Sequence, residues 1–278
     1  LPFFSRRMGL GADRTPIDLL GGLKVTGQVG RVNIGLLSVQ ADKTDVLNTK
    51  NLSVGRASVG FLDESTAGVI FTNGNPLRNA ENRLGGTDLT LKSSNFLGTS
   101  QVAELDAYYM QSDGEGQSGN AFGGRLLYPN FTWDAGLIFG QSGTNFNPAL
   151  GFILQPGTRD YSGWLGRSWR PDGLDSVKIG ISAEDKTMLD GRPITGALWL
   201  PEMTVTSISQ DSFYFAPVVR REQYFEPFDL APGVIIPSGH YSWLAYHLSL
   251  ESAKTRTVVG SIDLECCAYL DRGNRMNM

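Results

Sequence analysis

The stretch GGLKVTGQVGRVNIGLLSVQ, residues 21 to 40, decides how the rest of the chain is read. Leu23, Val25 and Val29 alternate with Lys24, Thr26 and Gln28, and after Gly30-Arg31 the alternation resumes with Val32, Ile34 and Leu36 against Asn33 and Gly35. A period of two is the signature of a strand, and two such runs parted by two residues predict a tight hairpin. The ribbon therefore has one apolar and one polar face. Either the apolar face covers a protein core, or it faces lipid on the outside of a membrane barrel.

Composition narrows the choice. Of 278 residues, 41% are hydrophobic, 19% are charged and 34 are glycine, a mixture without the alanine, leucine and glutamate runs of amphipathic helices. An all-β protein is expected. A net charge of −4 without a basic run leaves no electrostatic footprint for nucleic acid. No run approaches the roughly 18 apolar residues of a spanning helix, which leaves open a barrel, whose strands carry only a weak alternating signal.

Alternation and turn residues predict fifteen strands: residues 2–8, 23–29, 32–40, 52–61, 65–72, 83–92, 101–111, 119–128, 131–140, 159–169, 176–185, 194–208, 212–220, 240–251 and 255–267. Short links at Gly30-Arg31, Leu62-Asp63-Glu64, Pro129-Asn130, Gln210-Asp211 and 252–254, with somewhat longer ones at 93–100 and 170–175, mostly alternate with long ones at 9–22, 41–51, 73–82, 112–118, 141–158, 186–193 and 221–239. An up-and-down barrel with tight turns at one rim and long loops at the other produces this rhythm, whereas a Greek-key sandwich does not. Most runs approach the roughly 9–11 residues of a tilted spanning strand. Their apolar face carries Phe122, Leu126, Tyr128, Phe131, Trp133, Leu137, Phe139, Val177, Ile179, Ile181, Leu244, Tyr246, Leu248 and Leu250. The other face carries Lys24, Arg56, Asp88, Glu104, Asp106, Arg125, Asp134, Lys178, His247 and Asp263. A wet interior would accept both signs of charge.

At this point a family resemblance enters. FFSRRMGLG at the start, the hairpin above, AGVIFTN, the loop NFNPALGFI at 145–153 and YFEPFDLAPGVIIPSGHY at 224–241 together resemble, in order along nearly the whole chain, a bacterial outer-membrane β-barrel family of unassigned function. In that family the barrel region follows a periplasmic domain similar to family-9 carbohydrate-binding modules. The resemblance implies that residues 1–278 form a single barrel region, an internal piece with further closing strands after it and the periplasmic domain before it. Its expected setting is the bacterial outer membrane, with lipid, glycans or that periplasmic domain as partners. The final SIDLECCAYLDRGNRMNM departs from the terminal aromatic strand common in such barrels.

Candidate chemistry is sparse. Cys266 and Cys267 are adjacent in a strand, so their side chains should diverge, and an ordinary disulfide is not expected. His240, read in a loop, and His247, read on the polar face, are too few for a histidine-rich metal site. No GxSxG, HExxH or P-loop occurs, and no cofactor is implied. Among carboxylate pairs, Asp63-Glu64 falls in a turn and Glu222 with Glu226 in a long loop. Glu104 and Asp106 share a strand face at about 6.5–7 Å between Cα atoms, within the range of glycosidase pairs. Lumen acids are expected in a wet barrel in any case. The segment 227–239 reads either as an external loop packed on the rim or as a constriction or partner-binding loop. The expectation is thus an incomplete antiparallel barrel of about 14–15 strands that is not an enzyme and serves as pore, transport conduit or anchor. A surface hydrolase acting on glycans and a soluble sandwich or propeller adhesin are the alternatives.

Overall fold

The computed structural model describes residues 2–11, 15–270 and 273–274. It is all-β. The strands are β1 (Leu19–Val29), β2 (Val32–Ala41), β3 (Lys50–Phe61), β4 (Ser65–Asn73), β5 (Asn82–Ser93), β6 (Ala103–Gly114), β7 (Gln117–Pro129), β8 (Trp133–Ser142), β9 (Thr158–Trp169), β10 (Leu174–Met188), β11 (Pro193–Ser207), β12 (Ser212–Tyr224), β13 (Phe228–Ala231), β14 (Val234–Ile236), β15 (Gly239–Glu251), β16 (Ser261–Tyr269) and β17 (Gly273–Asn274). Hydrogen-bond order follows chain order from β1 to β12 and continues through β15, β16 and β17, while β13 and β14 form a hairpin of their own. Neighbouring strands run antiparallel wherever the register is defined. Among the described residues no pairing joins β1 to the last strand, so the sheet is open.

The hairpin of residues 21–40 forms as its sequence demands, with Val29 opposite Val32 and Gly30 at a φ of 59°, a left-handed value that glycine adopts without steric penalty. Fourteen of the expected strands correspond to β1 through β12, β15 and β16. Three expectations need correction. Residues 2–8 are not a strand; Ser5–Gly9 forms a 3-10 turn that buries Met8, and the Phe4 N–H donates to Leu150 O at 2.8 Å instead of to a ladder. The last long strand starts at Ser261 rather than 255, because Ser252 to Gly260 closes a turned loop through Ser252 N–H to Gly260 O. The expected loop 221–239 holds the β13–β14 hairpin, whose Phe228 and Ile236 pack against buried Tyr241 and Trp243.

The chain divides into two compact units: residues 1–126 with 140–158, and residues 127–139 with 159–278. In the first, register sets Ile34, Ala57, Val69, Thr87 and Tyr109 side by side, with Val32, Val59, Ala67, Leu89 and Ala107 in the next row of the same face. In the second, Val177, Val205, Phe213, Leu250 and Ile262 form one such row and Ile179, Met203, Phe215, Leu248 and Leu264 the next. These apolar rows are not a core. Ile34 is 44% exposed, Ile179 43% and Ile262 53%.

Burial lies on the other face. In the first unit Leu52, Val54, Val39 and Ala41 meet Met8, Ile17, Leu47 and Leu150, and Leu84 and Ala121 meet Phe146. Both clusters depend on the segment 143–157, which leaves the strands and folds back over their polar face. Along each unit's apolar face, polar rows take over toward the long links: Ser53, Asn73, Arg83 and Asp113 in the first, Asp185, Gly196, Arg221 and Ser242 in the second.

Candidate functional site: a charged ledge beneath an in-folded loop

Strand alternation puts Arg56, Asp88, Asp106 and Glu104 on the face opposite the exposed apolar rows, and register brings them together. Arg56 on β3 reaches across β4 to Asp88 on β5 as a two-pronged pair, with Nη2 donating to Oδ1 at 2.7 Å and Nη1 to Oδ2. The strand between them offers Gly68. An added Cβ there would lie 2.5 Å from the Arg56 guanidinium, so glycine is what clears the path. One step along the ledge, Arg125 on β7 donates through Nε to Asp106 Oδ2 at 2.6 Å and through Nη2 to Glu104 Oε1 at 3.0 Å, and Thr90 donates its hydroxyl to Asp106. Planar guanidinium forks suit carboxylates in this way.

The same arrangement recurs in the second unit. Asp134 on β8 accepts from Lys178 Nζ on β10 at 2.6 Å and from Trp164 Nε1 on β9 at 3.0 Å. Here the intervening strand supplies Gly166, where an added Cβ would lie 2.5 Å from Lys178 Cε. Arg220 pairs bidentately with Glu265 at 2.9 and 3.1 Å and lies over the Trp199 ring. His247 Nε2 is 3.0 Å from Asp263 Oδ2, with its ring edge-on to Tyr214.

Above the first ledge, the in-folded loop is fastened by two polar side chains. Asn82 donates its amide to Asn147 O at 3.1 Å and accepts from Ala149 N–H at 3.4 Å, while Ser112 Oγ accepts from Asn147 N–H at 2.9 Å. A side chain at Gly119 would collide with the Asn145–Phe146 backbone, so the close approach requires glycine. Leu150 is wholly buried.

The residues singled out from sequence are thus distributed. Glu104 and Asp106 do come together, and both face one guanidinium. Glu64 accepts from Ser94 at 3.0 Å beside the β3–β4 turn, and Glu222 accepts from the Tyr224 hydroxyl, whereas Glu226 lies exposed between β12 and β13. His240 is not in a loop; its backbone pairs with Gln223, which makes it part of β15. His240 and His247 lie apart, and among the described residues no three His, Cys, Asp or Glu side chains gather as a metal set. Cys266 and Cys267 are joined as a vicinal disulfide, contrary to expectation. The segment 227–239 packs one side of its hairpin and leaves Leu230, Val234 and Ile235 exposed.

What alternation does not disclose is the fastening by Asn82 and Ser112. Its one signal is a polar residue at an inward position where neighbours are apolar, Asn82 ahead of Leu84. No family model, curated protein or solved structure matches the chain.

Proposed function

We propose that this chain is the β-barrel region of a bacterial outer-membrane protein, a non-enzymatic pore, conduit or anchor whose wet interior is lined by the charged ledges and narrowed by the loop 143–157. One observation carries the reading. The apolar faces of spanning-length strands are exposed in both units, while the opposite charges pair on the other face. A soluble adhesin would do the reverse, since exposed apolar area of that extent is costly in water. The ordered resemblance to an outer-membrane barrel family supports the same setting, with the carbohydrate-binding-like domain of the full-length protein as its periplasmic partner. Glu104 and Asp106 act as lumen charges here, both paired with the single guanidinium of Arg125.

Spin labels at Ile34, Leu137 and Ile179 in the full-length protein, reconstituted in lipid, are expected to be accessible to oxygen and shielded from a water-soluble relaxant. Labels at Lys178 and Asp134 should show the opposite. Equal water accessibility at Ile34 and Lys178 would overturn the assignment.

A further inference from the structure

At the long-link end of β3, β4 and β5 a cavity of about 340 Å³ opens, lined by Asn48, Lys50, Asn51, Asn73, Arg78 and Arg83 among others. Its size suits a small ligand. Charge is unevenly settled within it. Arg78 is answered by Glu115 at 3.0 Å and Arg83 by Glu81 at 3.3 Å, both as solvent-facing pairs. Among the described residues Lys50 meets no carboxylate: Nζ donates to two backbone carbonyls, Asn75 O at 3.0 Å and Arg78 O at 2.8 Å. An ammonium has three donors and a full positive charge, and two neutral carbonyls leave one donor and that charge unanswered. The side-chain amides of Asn48 and Asn73 can each donate and accept; Asn51 and Asn79 each give one amide N–H, to Ser38 Oγ and Val46 O, and Asn75 uses its Oδ1 to accept from the Leu77 N–H.

We propose that this cup binds an oxyanion borne by a small polar ligand, with Lys50 supplying the charge and the Asn48 and Asn73 amides flanking it. Charge-assisted hydrogen bonds from an ammonium favour carboxylate or phosphate oxygens over neutral hydroxyls. The oxyanion can come from free phosphate or from the carboxylate of an acidic sugar. The chemistry at Lys50 is the same.

The test titrates inorganic phosphate, glucuronate and neutral glucose separately into the full chain in detergent micelles, following the backbone amide resonances of residues 73–81. Shifts with phosphate alone assign the first source, with glucuronate alone the second, and with both a general oxyanion cup. Lys50→Gln is expected to weaken binding by about tenfold, a loss of roughly 1.4 kcal/mol. Because Lys50 also braces the 75–78 backbone, the Asn48→Ala, Asn73→Ala double variant serves as the second probe; it leaves those carbonyl contacts in place and should weaken binding severalfold. Glucose binding as well as glucuronate, no shift with either anion, or undiminished affinity in both variants would overturn the proposal.

Discussion

Gly68 shows how much one missing atom can decide. It lies directly opposite Asp88 in the ladder and beneath the Arg56 guanidinium, so a side chain there must displace the ion pair from the sheet surface. Gly68→Val is expected to destabilise the protein by about 1–3 kcal/mol, the usual cost of overpacking. Gly35→Ala, where nothing lies within 4 Å, should change stability by less than about 0.5 kcal/mol. Thermal unfolding of the two variants side by side makes the comparison. A second residue, Asp211 in the β11–β12 turn, holds the loop before β16 through the Ala253 N–H at 2.9 Å and through Arg256, whose Nε lies 2.8 Å away. Arg256 first, then the Ala253 amide, lowers the Asp211 pKa from 3.8 to about 2. A carboxylate with a depressed folded pKa contributes its stability above the unfolded value and loses it as the pH falls through the folded one. The clasp should therefore be intact above the ordinary aspartate range and open as the pH falls from 3.8 toward about 2. Amide exchange at Ala253, rising across that interval in the wild type and already high at neutral pH in Asp211→Asn, is the expected result.

At the scale of elements, the strands were far more legible than the loop that crosses them. Alternation marks Ile34, Val69 and Ile179 as one kind of face and Arg56, Asp88 and Lys178 as the other, because a period of two is written in consecutive residues. Residues 2–8 mislead for the same reason: Pro2-Phe3-Phe4 is too short a run to tell a strand from an extended lead into a turn. The ledge was half legible. Arg125 beside Glu104 and Asp106 follows once the strands are aligned, but Gly68 and Gly166 look like any other strand glycine until their neighbours are known. NFNPALGFI reads only as part of a long link, since its burial is decided by Asn82 and Ser112, 65 and 35 residues from Asn147. The dependence is testable. Asn82→Ala leaves Ala149 N–H and Asn147 O without partners, and Leu150→Ala empties a fully buried site for about 2–5 kcal/mol. Either change is expected to loosen segment 143–157 selectively, seen as protease cleavage within it while the β11–β12 turn stays intact.

For the molecule as a whole, the proposed lipid-facing surface makes a sharp demand on substitutions that hold the same strand. Leu137→Arg places a charge on an exposed apolar face and, near the bilayer midplane, is expected to cost about 2–4 kcal/mol of insertion free energy. An arginine replacing Asp134, only three residues away but on the polar face, should insert with wild-type efficiency while releasing Lys178. Membrane-fraction yield and heat-modifiable migration of the two variants separate these outcomes. The strand-skipping pairs carry a further consequence for assembly. Arg56 and Asp88 belong to strands that never touch, and they meet only if the strand between them presents Gly68 at the crossing. A slip of β4 by one residue would set Ala67 or Val69 there, and by two Thr66 or Ile70, each with a side chain in the way. Each pair therefore acts as a proofreading check on three strands at once, closing only when all three are in register, and Asp134–Gly166–Lys178 repeats the check independently in the second unit.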